Sequence, residues 1–305
     1  MSGDRQWIRT CSLLVGTASG EGLDLSGLRV QFQTTKGDIE TPNSATITIT
    51  NLSKSTASRI GGEFTTVFLS AGYQGNAGLI FSGNIRQVRT GRENGTESWL
   101  EMTAADGDHA YAHATVSTTL AAGARPVDQV AVAGKSMAEK GVTTGHIADI
   151  GGQPLPRGKV MHGMARKYLR DVGQDRGAVW SIQDGALQMV RLAGYLPGEA
   201  VVLTHETGLL GMPEQTDQGI KVTCLLNPRL RIGGRIKLNN ESIQRAKTPL
   251  TIGAWNKSAM IDSDGIYRLI KADFKGDTHG QDWTADLLAI GMDDTMHIPL
   301  DQIGV

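Results

Sequence analysis

The sequence has few aromatics, little cysteine and almost no net charge, and each shortage removes a class of protein. Phe, Trp and Tyr occur five times each in 305 residues, too few for the exposed rings on which a sugar-binding surface stacks. Cys11 and Cys224 are the only cysteines and lie near opposite ends of the chain. They form neither a CxxC pair nor a disulfide framework, so they are expected as small core residues of a soluble chain made in a reducing compartment. No apolar run approaches the roughly 18 residues that a membrane helix needs, so no membrane insertion is expected. The start, MSGDRQWIRTCSLLVG, carries Arg5 and Arg9 but too short an apolar stretch for a signal peptide. Thirty Lys plus Arg against 31 Asp plus Glu give a formal charge of −1, which argues against wrapping nucleic acid electrostatically.

Glycine is what the chain has in excess: 39 residues, nearly twice a background of roughly 7%. The glycines follow no every-third pattern, which excludes collagen. An apolar fraction of 39% with 20% charged residues is globular and excludes wholesale disorder. The length suits about two domains or one large all-β unit.

Three segments follow one another. From Leu13 to about Asp108 the pattern has a period of two, the signature of strands. ATITIT (45–50), TVFLSAGY (66–73), LIFSGNIRQVR (79–89) and the run from Trp99 to Met102 are separated by glycine-bearing turns, as in a small barrel or sandwich. Between about 113 and 195 the period becomes helical. Pro126 opens one helix that runs to Gly141. A second is expected on the stripe Met161, Met164, Ala165, Tyr168, Leu169 and Val172, capped by Gly173. AVWSI, Asp184-Gly185 and ALQMV then read as a tight hairpin. From about 196 strands return at 200–206, 219–226, 235–239, 265–273 and 282–290. Residues 240–263 form a long excursion of a length that is uncommon unless functional or mobile.

The first and third segments share a layout. ATITITNLS (45–53) matches IKVTCLLNP (220–228), TVFLSAGY (66–73) matches GRIKLNN (234–240), and the long hairpin 81–106 matches 266–293, with Trp99 and Trp283 in corresponding places. The expected fold is therefore mainly β with an α+β insert. A first barrel at 1–112 and a second at 196–305 flank a small two-helix and hairpin unit at 113–195. The basic and acidic counts are 9 and 11 in the first segment, 10 and 6 in the insert, and 11 and 14 in the third. A basic insert thus sits between acidic units. Its helix face of Arg166, Lys167 and Arg170 reads as a solvated surface ahead of a polyanion site.

No catalytic signature stands out. His109 and His113 have the i,i+4 spacing of a shared metal site, but the run HAYAH lacks the glutamate of HExxH and a third ligand. Asp277 and His279, in GDTHGQDW, are candidates for an acid–base pair. A hairpin tip is poorly desolvated, however, and its polar residues answer turn requirements first. GxGxxG after a strand, GxxxxGK[ST] and GxSxG are absent. No catalytic, cofactor-binding or metal residue is assigned, and no cofactor is expected.

HETGLLGMPEQTDQGIKVTCLLNPRLRIGGRIKLNN (205–240), DGIYRLIKADFKGDTHGQDW (264–283), TITITNLS and VFLSAGYQGNAGLIFSGNIRQVRTGRENGTESWLEMTAADGD resemble the baseplate hub proteins of tailed bacteriophages. The resemblance implies two related β-barrel tube domains with smaller inserted domains. It also implies a homotrimer that places six barrels around a channel and joins a hexameric tail tube to a trimeric central spike. The implied setting is the tail baseplate of the virion, assembled in the host cytoplasm. The implied partners are the tube or distal tail protein, the spike and other baseplate proteins, with DNA only in passage through an acidic lumen. On this resemblance the hairpins at Gly91–Gly95 and Gly276–Gly280 are contact elements, and Trp99 and Trp283 anchor the barrel cores. The alternatives are a tail-associated peptidoglycan hydrolase and a spike protein of a contractile secretion system. The end at Val305, shortly after the second barrel, favours a hub with a separate spike.

Overall fold

The computed structural model describes residues 7–17, 21–92, 96–244, 261–262 and 264–291. Most of the excursion expected at 240–263 lies outside the described residues, as do Asn94 and Gly95 of the first long hairpin.

The first unit contains β1 (Arg9–Gly16), β2 (Gly22–Asp24), β3 (Val30–Gly37), β4 (Ser44–Thr50), α1 (Lys54–Arg59), β5 (Thr66–Tyr73), β6 (Asn76–Arg92) and β7 (Ser98–Ala105). Alternation decides which side chains go inside: Val30, Phe32, Ala45, Ile47 and Ile49 are buried while Gln31, Gln33 and Thr46 face outward. Ser53 starts α1 by accepting the Thr56 N–H at 3.1 Å.

The insert contains α2 (Asp108–His113), β8 (Thr115–Leu120), α3 (Pro126–Ala138), β9 (Thr143–Ile147), β10 (Lys159–Met164), α4 (Ala165–Arg176), β11 (Ala178–Gln183) and β12 (Ala186–Arg191). β8 and β10 form a two-stranded ribbon, and β11, β12 and β9 a three-stranded sheet. Asp184 and Gly185 turn the β11–β12 hairpin with φ of 53° and 80°, the left-handed pair that a two-residue loop requires. The expected second helix starts later than its apolar stripe suggests. Met161 belongs to β10, opposite Thr118, and is buried in the insert core. The helix is closed by Gly177 at φ 58°. Gly173 lies inside it, where a Cβ would come within 2.7 Å of the Ala178 carbonyl oxygen.

The second unit contains β13 (Val201–Val202), β14 (Leu209–Gln215), β15 (Ile220–Leu225), β16 (Arg235–Lys237), β17 (Ile266–Asp277) and β18 (Trp283–Gly291). The sequence pattern missed β14, because Gly211 and Pro213 interrupt its alternation; a register shift between Leu210 and Glu214 absorbs them.

The chain is mainly β, and its strand order repeats. In the first unit the order β3-β4-β7-β6-β5-β1 runs across the sheet; in the second, β14-β15-β18-β17-β16-β13 does the same. β6 and β7 shift register between Ile85 and Gln87, and β17 and β18 shift between Leu269 and Lys271. Arg86 and Ile270 are therefore matching extra residues. Matching loop bonds follow, Asn51 N–H to Ser98 O at 2.8 Å and Leu226 N–H to Trp283 O at 3.2 Å. The last pairing differs, since β1 runs antiparallel to β5 but β13 parallel to β16.

This register corrects the correspondence of the tryptophans. Trp283 matches Ser98, one residue out of step with Trp99, and in a strand one residue reverses the face. Trp283 is 1% exposed and meets Phe32 edge-on at 5.5 Å, with its Nε1 donating to Gly72 O at 3.1 Å. Trp99, half-buried opposite Thr50, packs over Gly91 on the reverse face. Each ring lies across from a glycine, Gly91 or Gly276, whose missing Cβ makes the room.

Buried side chains from both strand units form one hydrophobic cluster, and the insert has its own around Val130, Met137, Met161, Leu169 and Trp180. All three parts meet at Arg268, which is 1% exposed. Its Nη1 donates to Arg191 O at 2.9 Å and Leu192 O at 2.8 Å, and its Nη2 to Asp38 Oδ2 at 2.9 Å. Burial pushes the Asp38 carboxyl upward, and the guanidinium beside it pulls it back. Arg268→Ala is expected to lower unfolding free energy by about 3 kcal/mol, since it strands the largely buried Asp38 carboxylate. Adding Asp38→Asn should recover part of the loss; denaturant titration of the two variants measures both.

Candidate interaction surfaces

Two seams inside the chain show how its parts recognise one another. In the first, β17 continues past its own unit and pairs antiparallel with β3, Lys271–Asp277 against Gln31–Gly37. The tip of the β17–β18 hairpin is then clamped onto the first unit. Arg29 reaches Asp277 at 2.7 Å, Gln31 Nε2 donates to the same carboxylate at 2.9 Å, and the Val30 N–H donates to Thr278 Oγ1 at 3.0 Å. Arg9 donates to the carbonyl oxygens of Gly280 at 2.6 Å and Gln281 at 2.8 Å, with its guanidinium 5.5 Å from the Trp283 ring centre.

The second seam docks the insert on the first unit through the turn that Asp184 and Gly185 make. Both N–H groups donate to buried Asp106, at 2.6 Å and 2.9 Å. Lys36 pairs with Asp184 at 2.5 Å, Asn43 Nδ2 donates to Ile182 O at 2.9 Å, and Gln183 Nε2 donates to Gly37 O at 2.7 Å. Burial, reinforced by the neighbouring Asp184 carboxylate, pushes the Asp106 pKa up to about 7, against the two backbone donors and Lys36. Sequence reasoning nominated none of Arg9, Arg29, Lys36, Asp106 and Arg268. One signal was available for Arg268, a charge inside the otherwise apolar run Ile266–Ile270, of which Tyr267–Ile270 are all buried.

The sequence candidates separate clearly in space. Asp277 is committed to Arg29, whose bond holds its carboxyl well below the usual carboxylate range, aided by the His279 and Gly280 N–H groups and Gln31. The His279 Nδ1 lies 3.0 Å from Thr278 Oγ1, while its backbone N–H bonds Asp277 Oδ1 at 2.9 Å. Asp277 thus serves the turn and the seam, a poor setting for a proton acceptor. The rings of His109 and His113, on α2, lie 5.0 Å apart, and among the described residues no group of three or more His, Cys, Asp or Glu is placed to hold a metal. Burial raises the thiols of Cys11 to about 11 and Cys224 to about 12, which suppresses thiolate chemistry.

On the basic face of α4, Arg170 forks onto Glu40 at 2.8 Å and 2.5 Å. Arg166 stacks 4.7 Å from the Tyr111 ring centre and donates to Tyr111 O at 3.1 Å. Two of the three cations therefore serve contacts within the chain, and Lys167 is exposed. Apolar side chains do reach solvent on the strand units: Leu14 beside Phe68 in the first, and Leu210 and Met212 on β14 in the second. No helix among the described residues is long and apolar enough to cross a membrane.

No protein-family model matches the chain, and no curated protein matches its sequence. Solved structures do match the fold. The 43 kDa tail protein of prophage MuSo2 from Shewanella oneidensis superposes with a TM-score of 0.58 at 9% identity, covering 93% of this chain and 97% of that one. The tail protein from Neisseria meningitidis MC58 gives 0.58 at 9% identity, covering 93% and 96%. The Escherichia coli c3393 protein gives 0.54 at 10% identity, covering 89% and 77%. It is described as a component of the type VI secretion system with structural similarity to T4 bacteriophage tail proteins gp27 and gp5. Identity this low carries the fold alone.

The two seam carboxylates titrate in opposite senses. Asp106 has a raised pKa, so its contribution to stability is full below the unfolded value of about 3.9 and is lost as pH rises to about 7. Asp277 has a lowered one, so its contribution is full above about 3.9 and falls away in more acid solution. Asp106→Asn should flatten the stability profile between pH 4 and 7, and Asp277→Asn should flatten it below pH 4. Thermal unfolding across that range measures both.

Proposed function

We propose that the chain is a structural protein of a bacteriophage tail, the hub of the baseplate. Three copies form a ring in which a first barrel at 1–112 and a second at 196–305 alternate around a channel, with the 113–195 insert attached to each pair. The observation that carries this reading is the β3–β17 ladder. It joins two units of one strand order edge to edge, so each chain supplies two successive steps of a ring. Three chains then present six similar barrels to a six-fold tube, while the inserts and unlike ends keep three-fold symmetry toward a spike.

The tail proteins of Shewanella and Neisseria share this fold over nearly their whole length, which supports a tail assignment ahead of other β-rich scaffolds. The partners are the tail tube or distal tail protein on one face, the central spike on the other, and neighbouring baseplate proteins. DNA passes through the channel without being read, and the working location is the virion tail. A peptidoglycan hydrolase is the weaker reading, because the acidic member of its candidate pair is tied to Arg29. The resemblance to the type VI component from Escherichia coli keeps a secretion-system spike as the second reading.

Native mass spectrometry of the purified chain tests the ring. The expected species is three times the 32.5 kDa chain mass, alone or on adding the tube and spike proteins of the same tail. A chain that remains monomeric at tens of micromolar, also in those mixtures, overturns the proposal. Degradation of purified peptidoglycan that Asp277→Ala abolishes would favour the hydrolase.

A further inference from the structure

One pair of residues that the sequence brings forward has no part in the proposed role. His109 and His113 lie four positions apart on α2, the short helix that carries the chain from β7 into the insert. Residues at that spacing are neighbours on one helix face. Ala110 and Ala114 turn inward, at 0% and 1% exposure. Tyr111 packs against Arg166 and Trp180. The two histidines are left on the outer side, and both are exposed.

Their rings meet each other. The ring centres are 5.0 Å apart with the planes inclined at 51°, and neither ring has a hydrogen-bond partner among the described residues. His162 and His279 differ, since each reaches a hydroxyl, Ser117 Oγ at 3.4 Å and Thr278 Oγ1 at 3.0 Å. A metal ion binds an imidazole nitrogen at about 2.0–2.1 Å. Such an ion stands roughly 3 Å from each ring centre, so centres 5.0 Å apart subtend an angle of about 100° at the metal. That angle falls between the ~90° of a square-planar site and the ~109° of a tetrahedral one. The cations nearby are already engaged: Arg86 pairs with Asp108 at 3.4 Å, and Arg166 is turned onto Tyr111.

We infer that His109 and His113 chelate one divalent transition-metal ion, each through one ring nitrogen, with water completing the coordination. A pair of imidazoles suits Cu(II), Ni(II) and Zn(II) and rejects the oxygen-seeking Mg(II) and Ca(II); copper is held most tightly. No group of three or more His, Cys, Asp or Glu is placed to hold a metal among the described residues, so the protein supplies two ligands and the remaining positions exchange. The inference does not depend on the ring.

The ion acts on the joint between the first unit and the insert. Six residues are too few for a helix to stand alone, and α2 begins at Gly107 without a side-chain cap. A chelate across one turn locks the helix. Asp106, two residues before it, receives the insert's hairpin turn. Metal binding therefore stiffens the chain next to that seam.

Calorimetric titration of the untagged chain with copper, nickel, zinc and magnesium chlorides tests the inference. The expected result is one copper ion per chain that depends on both histidines, weaker nickel and zinc, and no magnesium. His109→Ala and His113→Ala should each weaken copper binding roughly tenfold or more, since losing a ligand costs at least what losing its supporting bonds does. His162→Ala should leave it unchanged. Both histidines are exposed, so the variants should unfold at the parent's temperature without metal; added copper should raise that temperature in the parent alone. Electron paramagnetic resonance of the copper-loaded parent should show two nitrogen donors at this ion, and one in either variant. A chain that takes up no copper at micromolar concentration, or copper binding that both variants retain at the parent's strength, overturns the inference.

Discussion

Arg268 is the residue on which the three parts of the chain converge. A guanidinium 1% exposed is costly to desolvate, and its two terminal nitrogens offset that cost by bonding three acceptors, although its Nε has no partner. Two are carbonyl oxygens at the end of the insert's last strand, and the third is Asp38 in the turn after β3. A hydrophobic side chain would fill the same space without holding those three places at fixed distances. The ladder between β3 and β17 begins within a few residues of this point, so the arginine also sets where the two strand units join. Such a clamp fixes the insert and the two strand units relative to one another.

Duplication gives the rest of the architecture its logic. The two units agree in strand order and in the position of a register shift, and they differ in what surrounds that frame. One has β1 running antiparallel at its far side, and the other replaces it with a two-residue parallel strand. The tryptophans sit on opposite faces of their hairpins. Trp283 is consumed by the internal seam, where it fills the space above Gly276 and beside Phe32. Trp99 instead covers Gly91 on a stretch of β6 that, among the described residues, pairs only with β7. One copy of a repeated hairpin is thus fitted to a contact within the chain, and the other is not.

Much of this was legible in the sequence wherever the determinants are local. Alternation in ATITIT, Pro126 at a helix start and Asp184-Gly185 at a hairpin each depend on neighbouring residues, and all lie where the pattern put them. The repeated hairpin was visible for the same reason. The departures have physical causes. Met161 and Met164 continue the apolar spacing of α4 while belonging to the strand before it. Gly211 and Pro213 hide β14 as a strand because its bulge accommodates both. Aligning the tryptophans by identity placed them one residue out of step, and in a strand that is the wrong face. Arg29, which holds Asp277, and Asp38, which pairs with Arg268, lie more than 200 positions from their partners, where no local pattern reaches. For that reason Asp277 resembled half of an acid–base pair before its tie to Arg29 was seen.

The proposed ring makes a geometric demand: the two strand units joined edge to edge in one chain must supply two of its six steps. Electron microscopy of the purified oligomer, viewed down its axis, tests this most directly. The proposed ring is expected to show six similar β-rich lobes around an open centre, three-fold when the inserts are resolved, with continuous sheet density across the β3–β17 seam. Any other number of lobes, an open chain of subunits, or barrels that meet through the inserts with their sheet edges apart would contradict it.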